Sequence, residues 1–352
     1  MLNGHVFIVN ENTLDTHLKY MFVGTSAGDR DNNISLLADM LRVKRGDLIF
    51  FYIEGFNNKK GRFFGCFKAV DETVYHFTGP NSKKPNLPIK LIYRKKIVPF
   101  KVFSKGVLEW LALDKLPTYS KELLWSLIYR KMKGKRGNTM LFPWETERLI
   151  SLIENDNNGQ PTNSKRFGFD KEVYEIVPAS LESSDLVFTT PVNISSKDVK
   201  NSETHFQAFV LQNINLHNND FHPNIFGKDI VWVGNEVFAG SGMQKIDIIT
   251  IEKIDETTNI YRIIELKHPK SSTNVNFAPA QLEYYINWAR DDIGGHILGG
   301  KKFNIKPILL SLSKTLGSIP QDVVTEIEKL NSIATNPEIY ELDFTLQATK
   351  VL

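Results

Sequence analysis

Cysteine is almost missing from this sequence: among 352 residues only Cys66 occurs. A lone thiol excludes an internal disulfide framework and every cysteine-cluster zinc site. Its setting in FFGCFKAV suggests a packed side chain rather than a nucleophile. Long apolar runs are missing too, since no stretch of about 18 uninterrupted apolar residues occurs. The N-terminus, MLNGHVFIVNEN, has neither a basic n-region nor a cleavable apolar segment. The expectation is a cytoplasmic protein with no membrane partner. Internal repeats and long low-complexity tracts are also lacking. His217, His222 and His268 do not have the spacing of a metal-binding pair on one helix, and no GxSxG follows a strand. Gly294-Gly295 and Gly299-Gly300 around His296 match no phosphate-cradling pattern and read as turns.

What is present is enough apolar residue, 41%, to build a sizeable core, in a chain long enough for two domains. The net charge of +3 hides a division. Residues 1–150 hold 25 basic against 14 acidic residues, a net +11, and residues 151–352 hold 18 against 26, a net −8. Such asymmetry suggests that the first part meets a polyanion and that the second concentrates carboxylates able to hold a cation.

The hydrophobic pattern breaks at ENDNNGQPTNSKR, residues 154–166. The expected organisation is a domain over 1–160, a linker or arm over 161–198 and a second domain over 199–352. In the first, HVFIVN, GDLIFFYIEG and GRFFGCFKAV read as strands, the last two pairing across NNKK. Helices are expected at DNNISLLADMLRV and at PWETERLISLIEN, which opens on Pro143 with Glu145 and Glu147 in its first turn. Mixed strands with few helices point to a small barrel. Beyond the break, a helix over 195–213 precedes strands at DIVWVG, KIDIITIEK and YRIIELKH. A helix over 277–292, strand KPILLSL, a helix over 320–332 and strand IYELDFTL complete the order. That is an α/β arrangement with a mixed sheet.

The chemistry concentrates in KIDIITIEK and YRIIELKH. Alternate strand residues share a face, so Glu265 and Lys267 project together, about 7 Å apart along the backbone. Asp247 lies among Ile246, Ile248 and Ile249, where a buried carboxylate needs a partner. If the two strands pair, Asp247 and Glu265 converge on a divalent cation with hard oxygen ligands, which suits Mg²⁺. Lys267 then pairs with the carboxylates or activates a water, as metal-assisted phosphodiester hydrolysis requires. An ion pair at a sheet edge is the plainer reading of a bare ExK.

The order of these residues resembles the PD-(D/E)xK nuclease superfamily. Glu203 lies in a leading helix, Asp247 follows a turn, Glu265-Leu266-Lys267 occupies the next strand, and a helix carries Gln281. Gln281 and Tyr285 further resemble the QxxxY element of some branches, and one helical turn puts them on one face. Ile246 stands where the name-giving proline would be. The resemblance implies Asp247 and Glu265 as metal ligands, Mg²⁺ as cofactor with Mn²⁺ able to substitute, and Lys267 acting on the water. Gln281 and Glu203 would complete the site, and Tyr285 would meet the nucleic acid.

In the first domain, YRKMKGKRGN places Arg130, Lys131, Lys133, Lys135 and Arg136 in one short segment suited to phosphate contacts, and Tyr93–Lys96 forms a second cluster. Trp110, Trp125, Tyr129 and Trp144 lie within or beside these clusters as candidates for base stacking. HVFIVNENTLDTHLKYMFVGTSAG with the two strands that follow resembles the PUA-like group that includes EVE and YTH domains. The resemblance implies a pocket for a nucleobase, often a modified one, with Phe22, Trp110 and Trp125 as candidate walls. Phe22-Val23 stands where YTH domains carry a cage tryptophan.

Together these readings imply an α/β and α+β protein with an N-terminal PUA-like β-barrel domain and a C-terminal restriction-endonuclease-like domain. The expected activity is that of a Mg²⁺-dependent DNA endonuclease, a restriction enzyme that could be modification-dependent, acting on double-stranded DNA as a homodimer at least when cutting. The alternatives are a structure-specific repair nuclease and a catalytically silent nucleic-acid-binding protein.

Overall fold

The structure, a computed structural model, describes residues 2–26, 33–55, 59–85, 87–114, 137–180, 186, 188–239, 244–271, 274–290, 302–314 and 316–352. The chain divides into two compact units, Met1–Val192 and Asn193–Leu352. The segment expected as a linker therefore stays largely with the first unit.

In the first unit the elements run β1 (Gly4–Val9), α1 (Glu11–Tyr20), β2 (Phe22–Thr25), α2 (Ile34–Leu41), β3 (Leu48–Ile53) and β4 (Arg62–Ala69). They continue through β5 (Tyr75–His76), β6 (Tyr93–Pro99), β7 (Val107–Leu108), α3 (Glu109–Asp114), β8 (Asn138–Leu141) and α4 (Pro143–Asp156) to the hairpin β9 (Phe167–Asp170) and β10 (Glu175–Pro178). Six strands pair in the order β2-β6-β4-β3-β1-β8, with β5 on β6 and β7 on β4, so the expected barrel takes the form of a curled half-barrel. β3 and β4 pair antiparallel as expected, with Ile53 opposite Arg62. β1 runs parallel to β3.

Helix α1 begins where Asn10 and Thr13 cap each other, the Asn10 side chain accepting from the Thr13 N–H. It buries Leu14, His17 and Leu18 against the sheet. The hairpin β9–β10 lies on this helix: the Phe169 N–H donates to Asp15 Oδ1 at 2.9 Å, and Phe64 packs edge-on to Phe169. Those contacts are why residues 167–178 belong to the first unit. Cys66 is buried, and burial pushes its thiol up to about 12, which agrees with a packing role.

The second unit contains α5 (Glu203–Asn213), α6 (Pro223–Phe226), β11 (Ile230–Ala239), β12 (Gln244–Lys253), β13 (Thr258–Lys267), α7 (Ala278–Trp288), β14 (Lys302–Leu312), α8 (Gln321–Lys329), β15 (Glu338–Leu342) and β16 (Ala348–Lys350). Its six strands pair in sequence order. β11-β12-β13 is an antiparallel meander, β14 and β15 join parallel to β13, and β16 returns antiparallel. The parallel step from β13 to β14 needs a crossover, which α7 supplies. Ile248, Ile263, Ile264, Leu266, Ile308 and Leu310 are buried on the sheet, and the fully buried Trp232 anchors β11. No helix of the described residues is long and apolar enough to cross a membrane.

Candidate active site

Register brings the predicted acids together. β12 and β13 pair with Ile248 opposite Ile264, and one further step along that register sets Asp247 opposite Glu265. The backbone pairing stops at Ile248, and the Asp247 side chain takes over as acceptor: the Leu266 N–H donates to Asp247 Oδ2 at 2.8 Å. Asp247 is thus held against the strand that carries the other two residues. Lys267 Nζ donates to Glu265 Oε1 at 2.6 Å and to Gln281 Oε1 at 3.0 Å, the latter reaching in from α7. Glu265 and Lys267 are nearly sealed, at 3% and 4% exposure, whereas Asp247 and Gln281 keep accessible surface. The group is therefore open along one side.

Glu203 occupies the first position of α5, behind Ser202, whose side chain accepts from the His205 N–H. Its carboxyl is raised above the usual range chiefly by burial, an effect opposed by a Ser271 hydrogen bond and the Lys267 charge. The Asp247 carboxyl is pushed well up, first by burial and then by the negative charges of Glu265, Glu203 and Glu236. Burial raises Glu265 too, against the opposing pull of Lys267. Glu203 Oε2 and Glu265 Oε2 are buried and accept no hydrogen bond among the described residues. Several carboxyls that raise one another's pKa, with acceptor oxygens left over, make a locus short of positive charge.

Among the described residues no group of three or more His, Cys, Asp and Glu side chains is arranged to hold a metal ion. Mg²⁺ does not require one, because it is bound by one or two carboxylates and keeps waters or substrate phosphate oxygens in its other positions. The donor set of Asp247 and Glu265, with spare buried oxygens and a net deficit of positive charge, fits such an ion.

Three further residues hold the site and carry no sequence spacing that would reveal them. Gln207, on α5, donates from Nε2 to the Asp247 carbonyl at 2.9 Å, and its Oε1 accepts from Asn235 Nδ2 at 3.4 Å. Glu236 pairs with Lys245 and adopts φ +52°, an uncommon conformation for a residue with a side chain. The β11–β12 pairing holds at Asn235–Ile248 and Val237–Ile246 and skips Glu236 and Asp247 between them. That break lets Asp247 turn toward β13.

Other predicted residues are placed differently. Tyr285, expected to meet nucleic acid, is 1% exposed, and its hydroxyl donates to the Lys245 carbonyl at 2.8 Å, so it braces α7 on β12. Phe22, a candidate pocket wall, is fully buried among Leu87 and Leu91 with Arg94 over its ring. Trp110 is open at 48%, with the Lys60 ammonium 5.6 Å from its ring centre. Trp125, Tyr129 and the cluster Arg130, Lys131, Lys133, Lys135 and Arg136 lie outside the described residues, as does His296.

Neither a protein-family model nor a curated protein sequence matches this chain. Among solved structures it is similar to a hypothetical protein from Leishmania major, at 12% identity and a TM-score of 0.33 over 44% of this chain and 97% of that one. It is also similar to human THYN1 in complex with DNA containing 5-methylcytosine, at 12% identity and a TM-score of 0.29 over 43% and 98%. A protein from Pseudomonas syringae aligns at 13% identity and a TM-score of 0.30 over 43% and 99%. Likeness at these scores leaves the chemistry of this chain to be argued from its own residues.

Proposed function

We propose that this protein is a Mg²⁺-dependent DNA endonuclease of the restriction type, in which the first unit recognises a site or a modified base and the second hydrolyses the strand. The observation that carries the reading is the set of hydrogen bonds around Lys267: its ammonium bridges Glu265 and Gln281, while Asp247 is fastened to the preceding residue of the same strand, Leu266. A plain edge ion pair would not recruit a glutamine from the crossover helix and an aspartate from the neighbouring strand.

Asp247 and Glu265 would hold the cation. When bound, the ion would neutralise charge on the scissile phosphate and acidify a coordinated water. The chain's own groups do the rest. Lys267 Nζ, already within hydrogen-bonding distance of two oxygens, can orient the attacking water and stabilise charge developing on the phosphoryl oxygens. Gln281 fixes the direction of that ammonium. Glu203, whose carboxyl burial raises above the usual range, would serve as a proton donor or acceptor beside the site. Gln207 and Asn235 set the backbone of Asp247. The first unit, divided at Val192, holds 28 basic against 21 acidic residues and the second 15 against 19, which favours strand binding by the first.

The test is cleavage of plasmids grown in methylating and non-methylating hosts, with Mg²⁺ or Mn²⁺ present. Cutting of at least one plasmid is expected, with a preference between the two if a modified base is read. Cutting confined to branched or single-stranded DNA would move the protein to the repair class. No cleavage of any DNA, with binding intact, would leave a silent binding protein.

A further inference from the structure

A cavity of about 590 Å³ opens in the first unit where β2 begins and β6 ends. Its walls come from stretches distant in sequence: Tyr20 and Met21 at the end of α1, Lys96 on β6, Lys165 and Arg166 before β9, and Phe188. Among the described residues three cations line it and no carboxylate does. Two of the cations are also available. Lys165 is exposed and Arg166 half-buried, and among the described residues the Arg166 side chain donates no hydrogen bond, its backbone alone bonding Ser164 and Ala179. Lys96 is fixed differently, its ammonium 5.1 Å from the ring centres of both Tyr75 and Phe188. Phe188 is itself held edge-on by Tyr75 and Phe77, so this aromatic wall is pre-organised.

The size lies within the usual range for small-ligand pockets, about 300–1,000 Å³. An apolar and aromatic wall beside a triad of cations calls for a ligand with a flat ring at one end and an anionic group at the other. We propose that the cavity binds a single nucleotide of a nucleic-acid strand, its phosphate between Lys96, Lys165 and Arg166 and its base against the wall of Tyr20, Met21 and Phe188. Base–aromatic stacking adds affinity that tolerates sequence, and the phosphate contacts supply salt-dependent attraction. The site differs from the candidate wall at Phe22, which is sealed behind it. It rests on the nucleic-acid-binding part of the proposed function and is independent of hydrolysis.

The test uses the full chain in EDTA and a fluorescein-labelled single-stranded oligonucleotide, read by anisotropy against salt. Lys165→Glu with Arg166→Glu, at positions open enough to keep the fold, should weaken binding at least about tenfold and flatten the log–log salt slope by about 0.7 for each phosphate that is no longer neutralised. Thermal unfolding of the variant checks its fold. A deoxynucleoside monophosphate should displace the oligonucleotide at a concentration at least about fivefold below inorganic phosphate at equal ionic strength, because stacking contributes roughly 1–3 kcal/mol per base. Wild-type affinity and slope in the folded variant, or equal displacement by phosphate, would overturn the proposal. Hydrolysis of bis(p-nitrophenyl) phosphate with Mg²⁺ by the wild-type chain reads the second unit separately. Failure there counts against the endonuclease reading while the anisotropy result still decides the pocket.

Discussion

Lys267 and Glu265 form an ion pair that water barely reaches, and that burial sets the consequences of changing either one. Removing one partner of a buried pair leaves the other charge uncompensated, typically at a cost of about 3–5 kcal/mol. Lys267→Ala should therefore lose stability of that order in urea unfolding. Lys267→Gln, which can still bond Glu265 and Gln281, should lose less and remain the better probe of chemistry. The carboxyls beside it predict a metal effect that needs no turnover. Mg²⁺ at about 100 times its Kd should stabilise the wild type by about 2.7 kcal/mol. Asp247→Asn should abolish most of that gain, and an equal rise in Tm for both proteins would remove Asp247 from the cation site. In the first unit, His17 is 1% exposed, and burial drives its pKa down to about 3. Its folded pKa lies below the unfolded value of about 6.5, so the unfolded chain takes up a proton first and stability falls with acidification between those limits. Against His17→Gln, which keeps a donor for the Phe22 carbonyl, the wild type should lose about 1.4 kcal/mol more per pH unit between pH 6 and 4. Parallel stability curves would contradict this assignment.

Helix α5 shows how an element positions a reactive group. Ser202 caps it, Glu203 follows at the first turn, and Gln207 one turn later reaches Asp247. Ser202→Ala should cost about 1 kcal/mol of stability, and it should lower the cleavage rate more than it weakens DNA binding. A change in binding alone would show that α5 does not set the site. The same helix shows what the sequence could and could not tell. Its pattern extends back to Ser195, but Ser195 and Asp198 close a turn of their own and Ser202 takes the cap, so only residues 203–213 are helical. Strands β12 and β13 were legible because isoleucines alternate with polar residues, and that alternation also placed Glu265 beside Lys267. Helix α1 was not, because two of its buried positions are Thr13 and His17, polar residues that interrupt an apolar stripe. Gln207, Asn235 and Glu236 escaped for a related reason: Gln207 bonds a backbone carbonyl, Asn235 meets Gln207, and Glu236 sits where the strand bends, none of which residue spacing encodes. Tyr285 misled because sharing a helix face with Gln281 does not fix which end of that face is covered.

At the scale of the whole chain, the two compact units differ in charge and in chemistry. The first has the surplus of cations and an aromatic pocket, and the second gathers the carboxyls around one lysine. That division predicts separable defects: substitutions in the first unit should change affinity and its salt dependence, and those around Lys267 should change rate at constant affinity. The most direct test is the single-turnover rate of Mg²⁺-dependent DNA cleavage by the wild type and by folded Lys267→Gln, with DNA affinity measured in EDTA for both. The account predicts unchanged affinity and a rate lower by about 10²-fold or more. Equal rates in the two proteins would contradict it.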